Sequence, residues 1–183
     1  MESINSPALT ITGIHLSGKT INKIYRKIAD LKGLYIDEAA FASIDETTIV
    51  YDVESFFPVP DGTEGGLFFG ITHLNPGKIG NEYFMTKGHT HTIQNRAEYY
   101  WGIEGEGVLL RMDKNRNTSG ERIFPGSLHY INGHTAHRVV NTGETVLSFG
   151  ACWPSDAGHN YESIATEGFS RRVVEIQGQP QLI

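Results

Sequence analysis

The chain has 183 residues, with 15 basic and 21 acidic side chains and a formal net charge of −6. That length suits one domain with a substantial core. The charge argues against a nucleic-acid or anionic-membrane surface, each of which needs a basic stripe. An anionic substrate stays compatible if the site supplies positive charge locally, from a metal or from Lys87 and Arg96. Cys152 is the only cysteine, so no intrachain disulfide can form. No apolar run is long enough to cross a bilayer. The opening M-E-S-I-N-S-P lacks the basic-then-apolar order of a signal peptide. A reducing cytoplasm is therefore the expected location.

In chain order, residues up to about Thr12 carry little signal and read as an arm. From Gly18 to Lys32 the apolar residues are Ile21, Ile24, Tyr25, Ile28 and Leu31, a helical spacing with Gly33 at the C-terminal cap position. Asp37 opens a second, short helix over Glu38–Phe41. Residues 1–46 are thus expected as a helical arm against a sheet.

After Glu46 short runs rich in β-branched and aromatic residues recur, broken by Gly, Pro, Asn and Asp. The predicted strands are Thr48–Phe57, Leu67–Leu74, Glu82–Lys87, Ala97–Ile103, Val108–Met112, Glu121–Phe124, Leu128–Ile131, Ala136–Asn141 and Val146–Trp153. Turns fall at Asp61-Gly62, Asn75–Gly77, Glu104–Gly107, Asn115–Gly120, Pro125-Gly126 and Thr142-Gly143. Many close strands without intervening helices predict a mainly all-β chain, an antiparallel jelly-roll barrel with a few short peripheral helices. The barrel core is expected over about 48–155. A short helix near Tyr161–Glu167 and a last strand at Arg171–Gln177 close the chain, which reads as one domain over 1–183.

The chemistry concentrates in T-K-G-H-T-H-T-I-Q-N-R-A-E, residues 86–98. His89 and His91 are two apart, so on a strand both imidazoles face one way. Glu98 opens the next strand, and His137 lies on a later one. Three imidazoles and a carboxylate suit a first-row divalent metal such as Fe, Mn, Ni or Zn. Four protein ligands in an octahedral shell leave two positions for water or substrate, a catalytic arrangement and not a closed structural one. Lys87 points inward with the pair if the strand is regular. His129 and His134 stand off the two-residue phase of His137 and read as non-ligands. His15 and His73 have no partner in sequence. Gly105-Glu106-Gly107 is followed by strand residues, which rules out a dinucleotide loop.

The pattern resembles the cupin superfamily. Gly80, His89, His91, Glu98 and Gly105 match its first motif, and Pro125, Gly126, His137 and Asn141 its second. Six residues separate His91 from Glu98, more than the usual cupin gap, and Asn132 stands where proline is common. Y-F-M-T-K-G-H-T-H, R-A-E-Y-Y, G-E-G-V-L-L, H-T-A-H-R-V-V-N and W-P-S-D-A-G-H-N-Y are similar to one family, the cupin-type phosphoglucose isomerases, from about Tyr51 to Phe169.

That resemblance implies a homodimer that interconverts glucose 6-phosphate and fructose 6-phosphate with one divalent metal per subunit, Fe2+ first and Mn2+, Ni2+ or Zn2+ as alternatives. It places the ligands at His89, His91, Glu98 and His137, and substrate contacts at Thr72, Thr86, Gly88, Tyr100, His159 and Tyr161. Trp153 stands where members commonly carry a tyrosine near the phosphate, and its indole donates but cannot accept. Within this reading Glu98 is the expected base and His159 the group that assists ring opening, with Lys87 and Trp153 beside the substrate. A metal-assisted enediol route and a hydride shift both fit the sequence. A cupin iron dioxygenase and a non-catalytic sugar-phosphate-binding cupin are the rival readings.

Overall fold

Fifteen short strands and two helices order the chain in a computed structural model that describes residues 4–183. In sequence they are β1 (Leu9–Thr12), β2 (His15–Gly18), β3 (Asn22–Lys27), α1 (Glu38–Ala42), β4 (Ile49–Phe56), β5 (Leu67–Leu74), β6 (Lys78–Ile79), β7 (Glu82–Tyr83) and β8 (Glu98–Glu104). There follow β9 (Gly107–Met112), β10 (Thr118–Ile123), β11 (Leu128–Ile131), β12 (Ala136–Asn141), β13 (Leu147–Pro154), α2 (Glu162–Glu167), β14 (Val173–Ile176) and β15 (Gln179–Leu182).

One layer is a six-stranded antiparallel sheet in the order β11-β8-β13-β5-β4-β3. The other joins β10-β9-β12 to β15-β14-β7-β6, because the segment after β7 runs on beside β12 through the Met85–Val140 and His89–His137 bridges. Side chains from both layers meet in one apolar core, with Val50, Leu74 and Leu147 from the first and Leu109, Ile123 and Val139 from the second fully or almost fully buried. The two-layer, mainly β architecture is the cupin jelly roll expected from the strand pattern.

Because β12 lies inside its layer, all six of its residues are buried. Its last residue, Asn141, is satisfied there: Nδ2 donates to Leu74 O and Thr145 O, both at 2.8 Å, and Oδ1 accepts from Gly143 N at 3.0 Å. A buried amide left unpaired would cost about 1–3 kcal/mol, so this side chain holds the β12 end in one place.

The N-terminal third differs from expectation. Residues 22–27 are β3, an edge strand paired with β4 through Ile24–Val53 and Arg26–Tyr51, and not a helix. The spacing of Ile21, Ile24, Tyr25 and Ile28 fits a helix, but the open edge of β4 supplies hydrogen bonds that draw the segment into the sheet instead. Its charged side chains are typical of an edge. Only one 3-10 turn, Ile28–Leu31, follows, with both end residues fully buried. The stretch read as an arm forms the β1–β2 hairpin. Thus residues 4–46 contain two hairpin strands, an edge strand, this turn and α1, while the first three residues of the expected arm lie outside the described ones. As expected, α1 is capped by Asp37, whose Oδ1 accepts from Ala40 N at 2.8 Å.

Two smaller differences arise from turn chemistry. Asp113 Oδ1 accepts from the amides of Asn115 and Asn117 at 2.8 and 2.9 Å, closing a tight loop, so β10 starts at Thr118 within the expected turn. Gln177 and Gly178 both take positive φ, and the chain doubles back into β15 after the expected last strand. Among the described residues no helix is long and apolar enough to cross a membrane.

Candidate metal centre and substrate cavity

Between β7 and β8 the chain carries the ligand-type residues along the buried β12. Thr86 N donates to Val139 O at 2.8 Å, and His89 and His137 exchange backbone bonds of 3.2 and 3.0 Å. Four residue steps from Met85 to His89 oppose three from Val140 to His137, so one extra residue is accommodated as a bulge. Gly88 sits in it with φ of +75°. A Cβ there would also stand 2.8 Å from Arg138 Nε, so both backbone and space call for glycine. The bulge breaks the alternation that placed Lys87 in phase with the histidines. Lys87 reaches the site differently, its Nζ lying 4.9 Å from the Tyr161 ring centroid.

Arg138 fixes the bulge from below. Its NH2 donates to Lys87 O at 2.8 Å and its guanidinium lies 4.5 Å from the Phe169 ring centroid. Burial pulls the group down to about 10, so it stays charged at neutral pH.

On its other side, Thr90 exchanges backbone bonds of 3.0 and 2.8 Å with Asn160. His89 and His91 are thereby held between β12 and the 155–161 loop. The loop before β8 is pinned to the same segment. Arg96 grips Asp156 with two bonds, Nε–Oδ1 at 2.9 Å and NH2–Oδ2 at 2.6 Å. Arg96 therefore supplies no charge to a substrate; it orders two loops.

The side chains of His89, His91, Glu98 and His137 each offer a ligand atom, and all four atoms lie within 4.8 Å of one another. His91 Nδ1 donates to Arg96 O at 2.8 Å and His137 Nδ1 to Thr135 O at 3.2 Å. With Nδ1 protonated, each Nε2 presents a lone pair, the tautomer a metal needs. His89 Nε2, His91 Nε2, His137 Nε2 and Glu98 Oε1 are buried and lack a hydrogen-bond partner. Buried polar atoms are rarely left so. Glu98 Oε1 is 3.1 Å from His91 Nε2 and 2.6 Å from His137 Nε2. Four acceptors crowded together repel unless a cation sits among them, so the donor set fits a divalent first-row metal.

Electrostatics point the same way. Burial works to raise the Glu98 carboxyl, but its surroundings of imidazoles, His137 first and then His91 and His89, outweigh it and hold Glu98 well below the usual carboxylate range. Burial, reinforced by His137 and His159, drives His89 well below the usual imidazole value. Burial also lowers His159.

A cavity of about 250 Å³ opens on this group. His89 and Glu98 line it together with the residues expected beside the substrate: Thr72, Thr86, Lys87, Gly88, Tyr100, Trp153, His159 and Tyr161. The exposed His159 has its ring 4.5 Å from that of His89 and stacks on Tyr161 at 6.1 Å with 10° between planes. Trp153 stands 6.3 Å from His159 by ring centroids. Thr86 Oγ1 accepts from Val139 N at 3.0 Å, leaving its hydroxyl proton to donate into the cavity. His91 and His137 stand behind the cavity wall. A wider groove of about 920 Å³ between the C-terminal strands contains no histidine.

Reasoning from sequence missed Arg26, Tyr51 and Ser55, which also line the cavity. The signal for Arg26 was present: reading residues 22–27 as a strand puts Ile24 and Arg26 on one face. His129 and His134 are indeed elsewhere; His129 Nε2 bonds Ser127 Oγ at 2.8 Å, and His134 Nδ1 lies 3.3 Å from Gln94 Oε1.

The fold and the site define a cupin-type jelly roll in which three histidines and one glutamate that could hold a metal cluster beside a small cavity. A family model described as glucose-6-phosphate isomerase (GPI) matches residues 25–181. The glucose-6-phosphate isomerase of Thermococcus litoralis is 41% identical over 170 residues, 92% of this chain and 87% of that protein. That of Thermococcus onnurineus is 40% identical over 162 residues, 88% of this chain and 85% of its own. Among solved structures, oxalate decarboxylase from Bacillus subtilis overlays with a TM-score of 0.47 at 17% identity, covering 60% of this chain and 26% of that one. The chain belongs to the glucose-6-phosphate isomerase family.

Proposed function

We propose that this protein is a metal-dependent aldose–ketose isomerase that interconverts glucose 6-phosphate and fructose 6-phosphate, working in the cytoplasm as a homodimer with one Fe2+ per subunit. The observation that carries the reading is that two of the four clustered ligand-type residues, His89 and Glu98, line the same 250 Å³ cavity as the hydroxyl, backbone and cationic groups suited to a sugar phosphate. Membership of the family supports the substrate pair.

In this reading His89, His91, Glu98 and His137 hold the metal, which supplies Lewis-acid polarisation of the sugar oxygens. Thr72, Thr86 and Gly88 take the phosphate, with Lys87 and Arg26 furnishing the positive charge that a chain of net charge −6 must provide locally. Trp153 donates its indole N–H there. Tyr100 and Tyr161 hold the open chain. Ionised and buried, the Glu98 carboxylate takes the C2 proton and returns it to C1 through an enediol. His159, neutral near pH 7, takes the anomeric hydroxyl's proton and returns it to the ring oxygen as the C1–O5 bond breaks. Phe149, Val53 and Ile24 make the wall between these groups apolar and limit water.

The outward rings of Tyr99 and Tyr130, 5.2 Å apart and each about half exposed, form an apolar face suited to the second copy. The test of the function is a coupled assay with fructose 6-phosphate. Activity that disappears with chelator and returns with Fe2+ or Mn2+ is expected; activity indifferent to chelator rejects the metal role, and oxygen consumption in its place rejects the isomerase.

A further inference from the structure

On the opposite face of the same sheet, His15 and His73, which had no partner in sequence, come together with Glu54. Tyr51, Val53 and Ser55 of β4 line the cavity, so alternation turns Asp52 and Glu54 outward. On β5, Thr72 faces the cavity and its neighbour His73 faces away. The β1–β2 hairpin covers this outer face and brings His15 down onto it.

His15, Glu54 and His73 each offer a ligand atom there, within 4.8 Å of one another. Glu54 and His73 are buried, at 6% and 5% exposure, and His15 opens the group to solvent. His73 Nε2 is buried without a hydrogen-bond partner. It stands 3.8 Å from Glu54 Oε2, too far for a hydrogen bond. Its other nitrogen shares a bond of 2.9 Å with Ser148 Oγ, the outer contact that orients a ligating imidazole. Burial lowers His73, which leaves the ring neutral with a lone pair to offer. The Glu54 carboxylate is held in place by Leu16 N, which donates to Oε2 at 2.8 Å. An imidazole lone pair and a carboxylate, buried and aimed at one space, call for a cation between them.

We infer that His15 Nδ1, Glu54 and His73 Nε2 form a second divalent-cation site, of zinc-like preference, that fastens the N-terminal hairpin to the outer face of the barrel. Two imidazoles and one carboxylate are a known ligand set for zinc with a position left for water. Around a tetrahedral ion the ligand atoms sit roughly 3.3–3.6 Å apart, against 2.9 Å for His15 Nδ1–Glu54 Oε1 and 3.8 Å for His73 Nε2–Glu54 Oε2, so small shifts seat the group on an ion. The exposed His15 supplies that movement. At present His15 Nδ1 donates to Glu54 Oε1 at 2.9 Å. The ion takes the place of that proton, which is carried on Nε2 instead. Lys23 is the competitor: its Nζ is 3.2 Å from Glu54 Oε1 and 2.9 Å from Asp52 Oδ2. On metal binding it keeps Asp52 and gives up Glu54.

Equilibrium dialysis of the full chain against Zn2+ tests this. Two equivalents per chain are expected, falling to one in His15→Ala, whose exposed position leaves folding and isomerase activity unchanged. Ser148→Ala should weaken the second equivalent about tenfold, and Lys23→Met should tighten it. Zn2+ should raise the thermal midpoint of the parent more than that of His15→Ala. A parent that binds a single equivalent, or a His15→Ala chain that binds as many as the parent, overturns the site. Neither result touches the isomerase reading, which His137→Ala addresses separately.

Discussion

His89 and His137 are cross-strand neighbours, each donating its backbone N–H to the other's carbonyl, and their rings lie 4.3 Å apart at 69°. Two of the ligand-type residues, distant in sequence, are thus set by the same pair of hydrogen bonds that closes the sheet. The cluster is built into the sheet itself, against the fully buried β12.

Removal of one of these ligands should therefore abolish metal binding without dissolving the fold. His137→Ala is expected to lose the cavity-side metal equivalent and at least a thousandfold in kcat, because polarisation and positioning disappear together. Metal analysis of the purified variant, with circular dichroism as the folding control, checks both parts.

Glu98→Gln separates ligand from base. The amide keeps size and an acceptor oxygen but cannot take a proton. A kcat loss of about 10²–10⁴ is expected for a lost general base, with KM for fructose 6-phosphate changed far less. Solvent deuterium should appear in the product of the parent enzyme. Complete retention of the migrating hydrogen would assign the reaction to a hydride shift instead.

Arg26→Met addresses the cation that the strand reading of 22–27 exposes. A charge-assisted bond to phosphate is worth about 1.5–3 kcal/mol, so KM should rise roughly 10- to 150-fold with kcat little altered. An unchanged KM removes Arg26 from the phosphate end of the cavity.

Gly88→Ala forces a side chain into a φ of +75° and against Arg138 Nε. The left-handed strain alone costs about 1–2 kcal/mol. Denaturant unfolding should show at least that loss, and KM should rise because the bulge that presents Thr86 and Lys87 must shift.

Asp156→Ala frees the loop that carries His159 from Arg96. The pair is partly exposed, so its loss should cost no more than about 1 kcal/mol in stability. The kinetic effect should be larger, a several-fold fall in kcat that Asp156→Glu partly restores. Equal losses in stability and rate would mark the pair as merely structural.

Residue identity and spacing alone made the β class, most strand positions from β4 to β13, the four ligand-type residues and the family legible. These are local properties: alternation on a strand, turn residues with their required backbone angles, and an H-x-H pair whose geometry follows from two peptide units. The folded chain decided what depends on contacts between distant segments. Residues 22–27 fall within a helical spacing in the sequence, and only the free edge of β4 selects the strand and so delivers Arg26 to the cavity. The bulge at Gly88 arises because β12 offers one residue fewer than the segment beside it, a mismatch invisible in either stretch alone. Arg96 looked like a substrate cation until Asp156, sixty residues on, claimed it. His15 and His73 became neighbours only when a hairpin folded over the outer sheet face, since bringing together segments 58 residues apart is the work of packing and not of local preference.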